Sequence, residues 1–329
     1  MADRARFDGL AAAIEACPEF TLARYWCDAD VTVARADAER KGRPDDVLAD
    51  GGVDVIVLDC ETRVAVSQSL AAISKGIHCW RSAPLGRNFS ESVAVAKAAR
   101  GASTCFALES RWEQNRALVR QMIERVDSFV PLCSEIDVSG KGPVLSDWRY
   151  GATEAGGGVL LQDAYASLEM LIGLRRLPDS VYAAIGRYRR PTMSPPREIE
   201  DFADLSMRYE GDGSAHLRAT WDLNPPARSS RHHSGQHSLH ADEDRIAVVN
   251  ATGDTLHASQ LPKHDDEAAM LAFAADIVGN QGRDARWRVI ERHLAVSAVI
   301  DAAYLSARTC HAESPRKLYS LEGWPEPRE

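Results

Sequence analysis

The chain has 329 residues with 39 Lys+Arg against 48 Asp+Glu, a formal net charge of −9, 45% apolar and 26% charged residues. That is an ordinary globular composition, long enough for two domains and a sizeable core, and its acidic balance speaks against a nucleic-acid partner, which needs a basic face. No apolar run approaches a membrane span, the first residues MADRARFDGL lack the apolar middle of a signal peptide, and the seven cysteines are odd in number with no Cys-x-x-Cys pair, so reduced thiols in a cytoplasmic protein are expected.

In chain order, residues 6–16 (RFDGLAAAIEA) place apolar side chains at helical spacing until Pro18 breaks the pattern. FTLARYW (20–26) reads as a strand and 33–41 as a helix polar on one side. VDVIVLD (53–59) is a continuous apolar run, as expected of a parallel strand buried on both faces. A helix follows over 65–76, ending at Gly76. A short strand (77–80), a helix (90–101) and a strand (103–109) complete the alternation, which implies a parallel sheet with right-handed crossovers.

From about residue 113 the texture changes. Helices are predicted over 115–126, 158–174, 270–280 and 287–308, and strands over 134–140, 180–188, 202–210, 214–223 and 244–250. The Pro/Arg-rich stretch 189–197 reads as a loop. The expected organisation is an α/β unit over 1–112 followed by an α+β unit over 113–329.

This order, with KGIHCWRSAPLGRNFSESVAVAKAA after VDVIVLD and then FALESRW and GGGVLL, resembles the Gfo/Idh/MocA family of glucose–fructose oxidoreductases and inositol dehydrogenases. Gly76, His78, Pro84, Leu85 and Gly156–Gly158 are the landmarks, and the resemblance spans nearly the whole chain. It implies a Rossmann domain, a second domain on an open, mostly antiparallel sheet, and NAD(P)-dependent chemistry on sugars or polyols. Members commonly dimerise through the open face of that second sheet, so a homo-oligomer, or a hetero-oligomer with a paralogue, is expected.

The functional positions depart from the family pattern. The sheet's first strand and its G-x-G-x-x-G turn, which would hold pyrophosphate at a helix N-terminus, are missing, and Met1-Ala2 is at most a remnant of that turn. Asp28, after the second strand, stands where an acidic residue can bind a ribose, or serves as a turn cap in CDAD. The Thr-Pro-x-x-x-His signature reads Cys60 to Ala65. The Glu-Lys-Pro signature reads Ser82, Ala83, Pro84, and the Asp-x-x-x-His pair reads Gln162 and Ala166, or Asp163 and Ser167 with a one-residue slip. Neither alanine takes a proton and Gln162 does not titrate, so standard hydride chemistry, which needs a base for the hydroxyl proton, is not expected.

In the 3-2-1-4-5-6 strand order the missing strand is central. Its absence calls for residues ahead of Met1, for closure of the two neighbours, or for a strand from a partner chain.

Further candidates are weighed on the same terms. Arg111, Trp148, Arg149, Gln162, Asp163 and Tyr165 could line a polar ligand pocket between the domains, although Asp163 and Tyr165 do not face each other on a helix. His232, His233, His237 and His240 crowd RHHSGQHSLH. In one continuous strand His233 and His237 would share a face, but the spacing matches no standard zinc motif, and a polar loop is the plainer reading. Cys60 and Cys79 end predicted parallel strands and read as buried thiols before nucleophiles.

The expectation is a degenerate relative, a pseudoenzyme with no nicotinamide cofactor. It would bind a small polar, sugar-like ligand or act as a non-catalytic partner subunit. One alternative is an NAD(P)-dependent dehydrogenase with an incomplete N-terminus. The other is a non-redox isomerase, lyase or cyclase using Asp163, Tyr165, Arg111, Arg149 and Glu61.

Overall fold

A computed structural model describes residues 4–27, 38–49, 51–126, 129–144, 147–188, 198–211, 213–221, 225–263, 265–279 and 283–327; the side chains at 4–6, 111–114 and 283–285 lie outside the description. Helix α1 (Arg4–Ala16) leads to strands β1 (Arg24–Tyr25) and β2 (Glu39–Arg40), which pair in parallel. The helix predicted over 33–41 is therefore corrected at its end: the Glu39 and Lys41 amides bond the Ala23 and Tyr25 carbonyls at 2.9 and 2.8 Å. Residues 31–37 lie outside the described residues.

Strands β3 (Val55–Leu58), β4 (His78–Ser82) and β5 (Phe106–Glu109) form a second parallel sheet, with α2 (Thr62–Ser74) and α3 (Phe89–Gly101) as crossovers. Asn88 caps α3 by accepting the Glu91 amide. The alternation of β3 decides its packing. Ile56 and Leu58 belong to the main core with Val66 and Ala72 of α2, whereas Val55 and Val57 face Leu10 and Ile14 of α1. Both faces are covered, as the continuous apolar run required.

After α4 (Arg111–Ile123), strand β6 (Cys133–Gly140) enters an eight-stranded sheet. A 3-10 turn at Trp148–Tyr150 and helices α5 (Ala152–Ala155), α6 (Val159–Gln162) and α7 (Tyr165–Arg175) precede β7 (Ser180–Gly186), β8 (Phe202–Tyr209), β9 (Gly213–Trp221), β10 (Ala227–Ser234), β11 (His237–Ala241), β12 (Arg245–Asn250) and β13 (Thr255–Gln260). The strand order is 13-12-11-10-6-9-8-7, and all pairs are antiparallel except β6 with β9. The sheet is thus open and mostly antiparallel, as the resemblance implied. The stretch read as a polar loop is the β10–β11 hairpin, turning at Gly235 with φ 46°.

Helices α8 (Asp266–Gly279), α9 (Arg283–Thr309) and α10 (Pro315–Leu321) close the structure. Helix α8 packs on α1, and the 27-residue α9 packs on β7, α3 and α7. The helix predicted over 158–174 is broken between α6 and α7. At the break, Arg228 donates to the Asp163 carbonyl at 2.9 Å and Trp221 Nε1 to its carboxylate at 2.5 Å, which holds this residue out of a regular helical path.

Candidate functional site

Open parallel sheets present ligand sites at the carboxyl ends of their strands. Here those ends carry Asp59–Glu61, Ser82–Leu85 and Glu109. The Ser82 hydroxyl donates to Asp59 at 2.5 Å, and the Ala83 amide to the Glu109 carbonyl at 2.9 Å. Behind them the fully buried Arg81 donates to the carbonyls of Pro84 (2.7 Å) and Leu85 (3.3 Å). The loop that should present a catalytic lysine is therefore fixed in place and presents the Ala83 methyl. Burial pushes the Cys60 thiol up to about 12 and the Cys79 thiol to about 11, so neither is a nucleophile near neutral pH. His78 Nδ1 accepts the Cys105 amide at 2.9 Å, which ties β4 to the start of β5.

Facing this loop is the Gly156–Gly158 turn. Gly156 has φ 86°, and a side chain there would run into Arg87. A side chain on Gly157 would meet the Tyr304 hydroxyl, and one on Gly158 the Glu200 carbonyl. The buried Glu200 carboxylate accepts the amides of Gly158 (2.8 Å) and Leu160 (3.1 Å) and the Tyr304 hydroxyl (2.9 Å). The glycines are needed for close packing whatever chemistry the turn once served.

The candidate residues separate into three places. Gln162 donates weakly back to the carbonyls of Ala155 (3.4 Å) and Gly157 (3.5 Å). Asp163, at the helix break, sits against Gly140, where a side chain would strike its carboxylate. Trp148 and Arg149 form a local unit: the guanidinium stacks 5.6 Å from the indole and pairs with Asp147 at 2.9 Å. Ala166 lines a small cavity of about 70 Å³ with Asn115, Arg228 and Asp242. Arg111 begins α4, but its side chain lies outside the described residues, and Asp28 is outside them altogether.

Tyr165, expected on the pocket wall, is buried instead. Its hydroxyl meets His293 Nδ1 at 2.9 Å, and His293 Nε2 lies 3.4 Å from the fully buried Glu169. Arg292 Nε stands 3.9 Å from the same carboxylate. Burial, with Arg292 and Arg81 nearby, pushes His293 well below its ordinary range, while burial beside Glu169 pushes Tyr165 up. Both stay neutral around a compensated carboxylate, an arrangement that holds α7 to α9 inside the protein. Arg81, Glu169, Trp221, Arg228 and His293 were not singled out from the sequence. They stand far apart in it, and no local motif marks them.

The histidine cluster is also rearranged. The hairpin turn lies between His233 and His237, so the two point to opposite faces. His233 shares a face with His240, their rings 6.3 Å apart, and His233 meets Ser238 Oγ at 2.8 Å. His232 is buried against Ser134 at 2.9 Å. Among the described residues no three His, Cys, Asp or Glu side chains converge as metal ligands.

A dinucleotide needs a pyrophosphate cradle between the central strand and α1. Residues 1–3 are Met, Ala and Asp, with no glycine. Among the described residues β1 and β3 belong to separate sheets, with a cavity of about 820 Å³ between them. The expected alternative in which the neighbouring strands close up is thereby overturned. As described, these residues do not fit a dinucleotide's pyrophosphate.

No protein-family model and no curated protein sequence matches the chain. Solved structures do match in fold. Levoglucosan dehydrogenase in complex with NADH and levoglucosan superposes with a TM-score of 0.78 at 16% identity, over 95% of this chain and 97% of that one. An oxidoreductase from Agrobacterium radiobacter in complex with NAD+, L-tartaric acid and magnesium gives 0.74 at 12% identity, over 95% and 96%. An NAD-binding oxidoreductase from Klebsiella pneumoniae gives 0.74 at 16%, over 94% of each chain. At such identities the likeness shows the fold: an oxidoreductase-like fold of the Gfo/Idh/MocA type.

Proposed function

We propose that the chain binds a small polyhydroxylated ligand at the carboxyl ends of β3–β5 and does not itself carry out nicotinamide-dependent hydride transfer. One observation carries this reading. The loop that should present a proton-transferring lysine is pinned by Arg81 and presents the methyl of Ala83. The helix side offers no replacement base, because the Gln162 amide turns back to the glycine turn and the Asp163 carboxylate is held by Trp221. The ligand class is supported by the compounds bound in the similar structures: levoglucosan, L-sorbose and L-tartaric acid.

The test is calorimetric and fluorescence titration with NADH, NADPH, levoglucosan and L-sorbose, alongside turnover assays. Saturable sugar binding, with no nucleotide binding up to millimolar concentration and no turnover, is the expected outcome. Micromolar nucleotide binding with turnover overturns the reading. In that case Ala83→Lys with Gln162→Asp and Ala166→His should raise turnover further.

The NAD and NADH bound by the similar structures favour the second reading, a dehydrogenase with a rebuilt site. Under either reading the outer face of the large sheet is the proposed subunit contact. It alternates Glu135, Asp137, Asp204, Arg208, Arg218 and Arg231, and ion pairs such as Arg218–Asp137 at 2.6 Å give it the mixed sign that suits a copy of itself. Sedimentation should show a dimer that weakens with salt; a monomer at all ionic strengths removes the proposal.

A further inference from the structure

The cavity between β1 and β3 has the form of a vacant strand position. In the doubly wound order 3-2-1-4-5-6, β2 and β1 take the third and second positions and β3–β5 the fourth to sixth. Position one falls between β1 and β3, and the cavity of about 820 Å³ lies there. Its two long sides are strand edges. The Ala23 and Tyr25 carbonyls serve β2, so the alternation of a parallel ladder turns the backbone groups of Leu22, Arg24 and Trp26 toward the cavity. On the other side the Asp54 carbonyl serves His78, so Val55 and Val57 turn their backbone groups into it. Among the described residues no backbone ladder joins the two edges.

The other two sides are apolar and belong to different layers. Leu10 and Ile14 of α1 with Ile277 of α8 cover one face, and Val47 and Val64 cover the other. Val278, also at the cavity, is 77% exposed. An occupant must therefore be apolar above and below, yet offer hydrogen-bond donors and acceptors along both edges. A lipid or small apolar molecule satisfies the faces and strands the edges; a sugar does the reverse. An extended polypeptide satisfies both.

We propose that this cavity is a strand-acceptor site, which takes one extended segment of about five residues, apolar on both faces and parallel to β1 and β3, from another polypeptide chain. The proposal is independent of the ligand reading above, because it concerns the sheet interior rather than the loops at the strand ends.

The test uses the full chain and a synthetic peptide of five alternating Val and Ile residues flanked by lysines. Binding is followed by calorimetry and by hydrogen exchange of backbone amides. The expected result is saturable one-to-one binding with at least tenfold slower exchange at the amides of residues 24, 55 and 57. N-methylating alternate peptide amides should weaken binding tenfold or more, because the apolar faces stay while one edge of donors is lost. Absence of binding overturns the proposal, as does equal affinity for the N-methylated peptide, which would mark a general apolar cavity. Slower exchange of the same amides on self-association without peptide also overturns it, since the occupant would then be a second copy.

Discussion

Replacing Glu200 by alanine removes the acceptor on which the triple-glycine turn is hung. Two buried amides, Gly158 and Leu160, and the Tyr304 hydroxyl lose their partner together. A buried donor without a partner costs about 1–3 kcal/mol. Three such donors set a loss of about 3–9 kcal/mol. Two effects move it to the lower half of that range. Tyr304 is only half-buried, so water can reach it. Burial also holds the Glu200 carboxyl above its ordinary range, so deleting it relieves a desolvation cost. The expected loss is about 3–5 kcal/mol, a third or more of a typical domain's stability. Tyr304→Phe, which leaves both amides served, should cost about 1 kcal/mol. Urea unfolding followed by near-ultraviolet circular dichroism reads both. Native-state exchange at the Gly158 and Leu160 amides should speed up by roughly 100-fold in the alanine variant, at about 1.4 kcal/mol per tenfold. A loss below about 1 kcal/mol in Glu200→Ala, with an unchanged urea slope, would refute the assignment of the carboxylate as the acceptor.

Two further predictions concern pH. Asp301 accepts the Phe89 amide at 2.8 Å, and burial raises its carboxyl from the ordinary 3.8 to about 6. Its native state holds the proton more tightly than the unfolded chain does. Its contribution is therefore full below about 3.8 and is lost as pH rises through about 6, a ceiling of about 3 kcal/mol. The difference in stability between Asp301→Asn and the parent should change over that window in urea unfolding, and a flat difference refutes it. His232 works in the opposite sense: burial and the nearby Arg175 hold it down to about 3, so its contribution is present above 6.5 and is lost as pH falls toward 3. His232→Asn should lessen the acid sensitivity below pH 6.5, and an unchanged acid limb refutes the assignment.

Periodicity marked the buried parallel strands well, because a strand covered on both faces needs a continuous apolar run. VDVIVLD became β3, and the strand at 134–140 became β6. It failed where side chains at a sheet edge are polar. Arg228–Ser234 and His237–Ala241 carry the hydrogen bonds of β10 and β11, but their sequence has little apolar alternation, so the hairpin looked like a loop. It also failed at Asp163, where the contacts that interrupt the helix come from Trp221 and Arg228, more than fifty residues away. The Ala83 and Gln162 substitutions were legible by comparison with the family pattern. The internal Tyr165–His293–Glu169 contact was not, since only tertiary structure joins α7 to α9.

The packing of α8 and α9 has a consequence for how the protein is made. Helix α8 covers α1 and the Val55–Val57 face, and α9 packs on α3. The first 112 residues therefore leave the ribosome with apolar surfaces whose cover lies about 150 to 200 residues downstream. At about 5–20 residues per second that interval is roughly 10–40 s. Throughout it, the opposed strand edges of β1 and β3 and the uncovered valines stand open to other chains, so synthesis of this protein leans on a chaperone that binds extended apolar segments.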